Sequence, residues 1–242
     1  MLGAALDSVA FADETVVVDC GSRDDTVDIA AARGARVVHQ EWLGYGPQKR
    51  FAVDQAAHDS VHCIDADERV SAELRTAIER ELVMPRCAAY GFPRANRFLG
   101  RQLRHGEGYP DLSLRLFDRR RAQWSDDLVH ETVAVESGDI GRLTGDLHHE
   151  SAETLASYLD KQNRYTSLQA AALFAAGQRA SLLKLVLSPL VRFIRFYLLR
   201  LGFLDGRAGL VHILIGCWNT FMKNAKLLEL QRRDPAHKVP GA

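Results

Sequence analysis

No sign of charge dominates this sequence, and no two cysteines sit close enough to clasp a metal. Its 242 residues carry 31 Lys and Arg against 31 Asp and Glu, so no global basic excess points to nucleic acid as a partner. Cys20, Cys63, Cys87 and Cys217 lie far apart without a CxxC spacing. That argues against a zinc knuckle or a disulfide framework and for a reducing compartment. The opening MLGAALDSVAFADE lacks the basic start, long apolar run and small-residue cleavage site of a secretory signal. Internal repeats and low-complexity tracts are missing as well. What is present is 47% hydrophobic and 26% charged residues. Such a composition suits one large domain, or a domain with an appendage, and not a disordered chain.

Neutrality hides an uneven distribution. Residues 181–230 hold Lys184, Arg192, Arg195, Arg200, Arg207, Lys223 and Lys226 against Asp205 and Glu229, a net +5 in the most apolar part of the chain. A basic, greasy end on an otherwise acidic body suits a surface that meets anionic lipid.

The first ninety residues alternate in character. ETVVVDCGS reads as a β-branched strand ending in a turn, and DDTVDIAAARG as a helix with Ser22 and Asp25 in capping-box spacing and Gly34 as its stop. ARVVHQ is a second strand, PQKRFAVDQAAH a second helix, SVHCIDADE a third strand and VSAELRTAIERELV a third helix. Strands alternating with helices predict an α/β fold with a mostly parallel sheet covered on both faces. The middle of the chain is rich in Gly, Arg and aromatics, with short strands such as LSLRLF and HETVAV among long loops. From Ser151 onward the pattern is helical.

Two apolar helices near the end are separated by LDGRAG. In the first, Lys184, Ser188, Arg192 and Arg195 form one narrow polar stripe, with Pro189 as a kink; in the second, His212, Gly216, Asn219, Lys223 and Lys226 do the same. A membrane span needs about 20 apolar residues largely free of charge, and these runs are interrupted or shorter. Interfacial helices are the favoured reading. Burial against the domain or a second subunit is the alternative.

Asp65-Ala66-Asp67, at the end of the third strand, is the sharpest chemical signal. Open α/β sheets bind ligands beyond the carboxyl ends of their strands. Two carboxylates there can reach Mg²⁺ or Mn²⁺, which in turn bridges diphosphate oxygens. The plain alternative is a helix cap beside a solvated acid. Asp19 ends the first strand before a helix start, where free N–H groups favour a polar ligand, or it is simply a turn residue.

Together these residues amount to a resemblance. VVVDCGSRDDTVDIA, QKRFAVDQAAHDSVHCIDADERVS, LRLF and VHE resemble the family 2 glycosyltransferases of the GT-A nucleotide-sugar fold. WLGYGPQKRFA, IDADERVSAEL, RANRFLG, HGEGYPDLSLRLF and DKQNRYT resemble its lipopolysaccharide-core branch, the WaaE-like glucosyltransferases.

The resemblance implies roles residue by residue. Asp19 matches the aspartate that contacts the nucleotide base, and Asp65 and Asp67 match the metal and diphosphate motif. Lys49 and Arg50 stand where the wider family has an Arg-Asn pair, so a positive charge facing phosphate is kept and the Asn contact is not. Glu131 sits where family members place the catalytic base, with Asp111 as the rival. His149 matches a histidine that completes the metal shell or holds the diphosphate, with His148 beside it as the alternative. Arg119-Arg120-Arg121 reads as a solvated loop or an acceptor-phosphate patch, and Arg94, Arg97 and Arg101 as a second such patch.

The implied reaction is an inverting, metal-dependent transfer of a sugar, glucose by this resemblance, from a nucleotide-diphosphate donor such as a UDP-sugar to a lipopolysaccharide-core acceptor. The implied location is cytoplasmic, peripheral on the inner face of the cytoplasmic membrane. Residues 1–150 would form the GT-A domain and 151–242 a helical membrane-associating region. Alternatives are transfer to a polyprenyl phosphate, or a non-catalytic membrane-associated homologue. Family members open with an apolar strand and turn ahead of the helix with which this sequence begins, so a first strand is expected to be missing.

Overall fold

The computed structural model describes residues 1–125, 131–150 and 154–233. The chain divides into two compact units, one of Met1–Arg97 with Pro110–Ser151, the other of Phe98–Tyr109 with Ala152–Ala242.

The first unit opens with α1 (Leu2–Ser8), β1 (Val16–Asp19), α2 (Thr26–Ala31), β2 (Arg36–His39) and α3 (Tyr45–Asp54). Then follow β3 (Ser60–His62), β4 (Glu68–Val70), α4 (Ala72–Leu82) and β5 (Ala89–Phe98). After β6 (Arg101–Gln102), which lies in the segment that goes with the second unit, come β7 (Asp111–Asp118), β8 (Ala122–Trp124), β9 (Val133–Val135), β10 (Ile140–Arg142) and β11 (Leu147–Glu150).

The α/β class is the one the sequence predicts, and the sheet itself is mixed. β1 and β2 form a parallel pair of their own. The main sheet runs β3–β7–β5–β11–β4, with β10 beside β5. Within it β5 is parallel to β11 and β10, while β3–β7, β7–β5 and β11–β4 are antiparallel. Strict βα alternation ends at β3, which β4 follows without a helix. Among the described residues no helix lies between β5 and β11 either, and β7 runs antiparallel to both β5 and β3.

Side chains alternate across this sheet as a pleat requires. Leu116 of β7, with Tyr90 and Phe92 of β5, packs under Leu74 and Ile78 of α4. The next residue, Phe117, points to the other face and meets Val53 of α3, Val61 and Trp124. α4 forms where the sequence places it because Ser71 caps it by accepting the Leu74 N–H at 3.1 Å, with Glu73 in its first turn and Arg80 in its last. The capping box expected at Ser22 and Asp25 does not form. α2 starts at Thr26 with no side-chain cap, because the Ser22 hydroxyl donates instead to Asp19. The third strand is also shorter than its apolar run suggests. It ends at His62, leaving Asp65 and Asp67 in the connection to β4.

The second unit contains α5 (Leu155–Ala175), α6 (Leu182–Phe193), a π-helical segment Ile194–Leu199, a 3₁₀ turn Gly202–Asp205 and α7 (Gly206–Arg233). The polar stripe of α7 faces the neighbouring helices, while on α6 Arg192 is half-buried and Lys184 is exposed, as is Arg195 in the π-helical segment. On α7, Asn219 donates to Gln162 at 2.7 Å, Lys226 donates to Asn163, Thr166 and Ser167 of α5, and Gly216 lies where a Cβ would be 2.9 Å from Arg192 Nε and Glu107 Oε2. Arg192 of α6 pairs with Glu107 and donates to Thr220. The buried Asp205 carboxylate accepts the N–H groups of Arg104 at 3.0 Å and His105 at 2.8 Å, tying the 98–109 segment to the helices. Among the described residues, no helix is long and apolar enough to cross a membrane.

His62, the last residue of β3, packs edge-on to Phe92, and its Nε2 is buried without a hydrogen-bond partner among the described residues. Burial, with Arg115 nearby, pushes its pKa down to about 4 from 6.5. The unfolded chain therefore takes up this proton first, so the stability His62 permits is complete above pH 6.5 and is lost as pH falls toward 4. Replacing it by leucine should flatten the fall of Tm across that window; an unchanged slope in His62→Leu would show that burial does not control this group.

Candidate active site

The turn between β3 and β4 is built around Glu68, a carboxylate with 0% exposure. Glu68 Oε2 accepts the Asp65 N–H at 2.9 Å, while the Glu68 N–H returns to the Asp65 carbonyl at 2.9 Å. Its other oxygen pairs with Arg94 Nε at 2.6 Å and with Arg115 Nη2 at 3.4 Å. A buried carboxylate survives only when it is paired and hydrogen-bonded, and here both conditions are met.

Arg115 carries the charge pattern outward. The same Nη2 donates to Asp65 Oδ2 at 3.1 Å, and Lys49 Nζ lies 3.2 Å from Asp65 Oδ1. Burial alone would raise the Asp65 pKa, but Arg115 and Lys49 outweigh it and hold the group down to about 2. Lys49 also donates to Glu131 Oε1 at 3.0 Å. One ammonium on α3 thus joins two carboxylates that are far apart in sequence. Below it, Trp124 offers its ring face to Lys49 at 4.8 Å and to Arg115 at 5.3 Å. Arg50 faces elsewhere, donating to the Trp124 carbonyl at 2.9 Å.

A second chain of contacts leads from Asp67. His149 Nε2 is 3.1 Å from Asp67 Oδ2, and its Nδ1 is 3.0 Å from Asn96 Oδ1. Asn96 Nδ2 donates to Asp111 Oδ2 at 3.3 Å. Strand register explains the arrangement: β11 sets His149 beside Asn96 of β5, and β5 pairs Arg94 with Asp111 of β7. His149, and not His148, makes the Asp67 contact, because alternate residues of β11 face opposite ways. Burial works against ionising Asp67, yet the His149 hydrogen bond and charge keep its pKa below the usual value.

Asp19 stands apart from both chains. The Ser22 hydroxyl, 2.5 Å away, lowers its pKa, helped by the N–H groups of Gly21 and Ser22. Gly21 takes φ of +100°, which only glycine adopts freely, so that this N–H can point back at the carboxylate. The three arginines expected to face acceptor phosphates, Arg94, Arg97 and Arg101, each have a partner in their own unit. Arg94 is committed to Glu68, Arg97 pairs with Glu150 at 2.7 Å, and Arg101 donates to the Leu204 carbonyl. Residues 126–130, which include the first two of the Val-His-Glu motif, lie outside the described residues.

Among the described residues, no three His, Cys, Asp or Glu side chains form an all-protein metal cage. Asp67 and His149 supply one carboxylate and one imidazole side by side. That donor set fits Mg²⁺ or Mn²⁺, which take one or two protein ligands and fill the rest with phosphate oxygens and water.

The family model for Glycosyl transferase family 2 matches residues 1–134. The chain belongs to this family. It is 32% identical over 96% of its length to an uncharacterized glycosyltransferase of Rickettsia typhi, covering 84% of that protein. It is 28% identical over 94% of its length to the lipopolysaccharide core biosynthesis glycosyltransferase LpsC of Rhizobium meliloti, covering 87% of it. Among solved structures it is similar to glucosyl-3-phosphoglycerate synthase of Mycobacterium tuberculosis, crystallised with Mn²⁺ and UDP-glucose. That likeness has 17% identity, a TM-score of 0.45 and coverage of 74% of this chain and 77% of the other.

Sequence reasoning on this family 2 glycosyltransferase missed Glu68, Arg115, Asn96 and Trp124. Only Arg115 left a trace, as a charged residue inside the apolar run LSLRLF. Removing one partner of a buried ion cluster leaves the others uncompensated, so Glu68→Ala should cost about 3–5 kcal/mol in urea unfolding. A loss below about 1 kcal/mol, the range of an exposed pair, would show that the cluster is solvated.

Proposed function

We propose that this glycosyltransferase moves a sugar, with inversion, from a nucleotide-diphosphate donor such as UDP-glucose to a hydroxyl of a lipopolysaccharide-core acceptor. The observation that carries the reading is the Lys49 ammonium, within 3.2 Å of Asp65 and 3.0 Å of Glu131. The contact supports the reading because it joins the cation we assign to the phosphate with the carboxylate we assign as base. The likeness to LpsC over 94% of the chain supports the acceptor class.

A hydroxyl is a weak nucleophile at neutral pH, so a carboxylate must take its proton as the new bond forms. Glu131 is the residue we assign to this task, with Asp111 as the second candidate. The departing diphosphate gathers negative charge on the opposite face, and neutralising it is the task we assign to Lys49, whose ion pair with Glu131 has to part for the sugar to lie between them. A diphosphate drawing on Lys49 also loosens the ion pair that holds Glu131, which makes the base more available once donor is bound. Asp67 and His149, with Asp65 alongside, would hold Mg²⁺ or Mn²⁺; the ion's chemistry there is charge neutralisation of the diphosphate. Arg115 keeps Asp65 ionised and in place. Asp19 completes the donor side in this reading, at the nucleotide base, while Arg50, turned to the Trp124 carbonyl, has no donor role in it.

The second unit suits a peripheral place on an anionic membrane face. It holds 15 basic against 6 acidic residues, leaving the first unit with 16 against 25. α6 has no buried residue, and Leu182, Leu183, Val186, Leu190 and Val191 are all exposed. Exposed leucines beside the exposed Lys184 suit a helix lying in the lipid interface.

Titration calorimetry tests the donor site: UDP binding should require Mn²⁺ and disappear in Asp67→Ala, and metal-independent binding would refute the assignment. For the base, Glu131→Gln should lower kcat by about 10²–10⁴-fold with the donor KM little changed. A loss of that size in Asp111→Asn instead would move the role to Asp111. For the membrane, the chain should sediment with phosphatidylglycerol vesicles, and Leu183→Ser with Leu190→Ser should weaken this several-fold. A chain that stays in the supernatant sinks the peripheral reading.

A further inference from the structure

The π-helical segment Ile194–Leu199 interrupts the end of α6, and it changes which side chains share a face. In an α-helix, residues five apart point about 140° away from each other. Here the Arg200 N–H bonds to the Arg195 carbonyl at 2.9 Å, a five-residue step, which brings those two positions nearly into line. The half-buried ring of Phe196 lies between them. Arg192, Arg195 and Arg200 place their guanidinium carbons 5.3, 5.4 and 5.6 Å from its centroid.

The three arginines are not equivalent. Arg192 is committed to Glu107 and Thr220. Among the described residues, Arg195 and Arg200 make the ring contact and no ion pair with a carboxylate. Gathering like charges on one ring is unfavourable unless an anion joins them. Around them Ile194, Leu198, Leu199 and Leu201 are exposed, so the two guanidiniums stand at the rim of an apolar surface. That is the level at which a phospholipid phosphate sits when its acyl chains are below.

We propose that Arg195 and Arg200, gathered on Phe196 by the π turn, form a site for the phosphate of an anionic membrane phospholipid. The proposal rests on the membrane reading above and specifies its chemistry. Guanidinium forks bind a phosphodiester through paired N–H donors, and the leucines beside them accept the glycerol backbone and chains. The site would fix the second unit at one depth on the bilayer rather than merely attract it.

Flotation of the full chain with phosphatidylcholine vesicles, with and without phosphatidylglycerol, tests this. The double variant Arg195→Gln, Arg200→Gln should bind phosphatidylglycerol vesicles about thirtyfold more weakly while keeping its affinity for phosphatidylcholine. Arg164→Gln with Arg232→Gln removes the same charge elsewhere in the unit and should change binding less than about threefold if the effect is local. Arg195→Lys with Arg200→Lys keeps the charge without the forks and should restore binding only in part. Equal losses in both glutamine pairs, or full recovery with lysine, would reduce the site to general attraction and overturn it, leaving the membrane reading in place. Displacement by soluble glycerol phosphate would overturn the lipid assignment in favour of a free phosphate ester. Wild-type chain that binds neither vesicle removes both ideas.

Discussion

A carboxylate sealed from water is held in place by the two arginines that reach it, and the site is built outward from that contact. Glu68 sits at 0% exposure between Arg94 and Arg115 and accepts the N–H of Asp65. Stripping water from a carboxylate and two guanidiniums costs several kcal/mol for each ion, and close, hydrogen-bonded pairing is what offsets it. Such a cluster tolerates little displacement of its members. The β3–β4 turn, β5 through Arg94 and β7 through Arg115 are therefore locked to one another at the point where Asp65 emerges. A hydrophobic core specifies packing with less angular demand. The charged cluster adds direction to the turn that carries Asp65 and Asp67.

From this anchor the charges alternate outward. Glu68 holds Arg115, Arg115 holds Asp65, Asp65 holds Lys49, and Lys49 holds Glu131. Arg115 and Lys49, one on each side, hold the Asp65 pKa down to about 2 against its burial. Trp124 supplies the flat side on which both Lys49 and Arg115 rest, so neither cation needs a further carboxylate to stay in place. The other route, Asp67 to His149 to Asn96 to Asp111, is made of hydrogen bonds between strand neighbours and depends on register instead. A one-residue slip of β11 would turn His149 to the opposite face and break it.

Much of the first ninety residues was legible because local pattern and final structure agree there. The β-branched run before Asp19 is β1, the periodic run after Ser71 is α4, and Gly34 ends the α2 region with φ of +75°. Asp65 and Asp67 stood out from the apolar run they close. Glu68 did not, because an acid following two others reads as one more solvated charge, and its burial depends on arginines far away in sequence. Nor could spacing reveal that Asn96 links His149 to Asp111, since that link is made by strand pairing. Polar stripes on the last helices were visible, but their direction was not. A stripe looks the same whether it faces water or, as with Asn219 and Lys226, a partner helix. The Ser22 reading failed for a related reason. A hydroxyl three residues from an acid fits a cap on the following helix or a brace on the preceding strand, and Asp19 wins because its carboxylate is buried and needs donors.

The two aspartates of the β3–β4 turn end in different chemical states although one residue separates them. Asp65 has a cation on each oxygen, Lys49 on one and Arg115 on the other. Asp67 has His149 against a single oxygen. A carboxylate already matched by two cations gains little from a third, whereas one that shares a single imidazole keeps a lone pair for an ion or a phosphate-bound water. Neighbouring acids in unlike surroundings commonly divide their work in this way. The division follows from the anchor: because Glu68 fixes Arg115 beside Asp65 and not Asp67, the first aspartate is matched by two cations and the second by one imidazole.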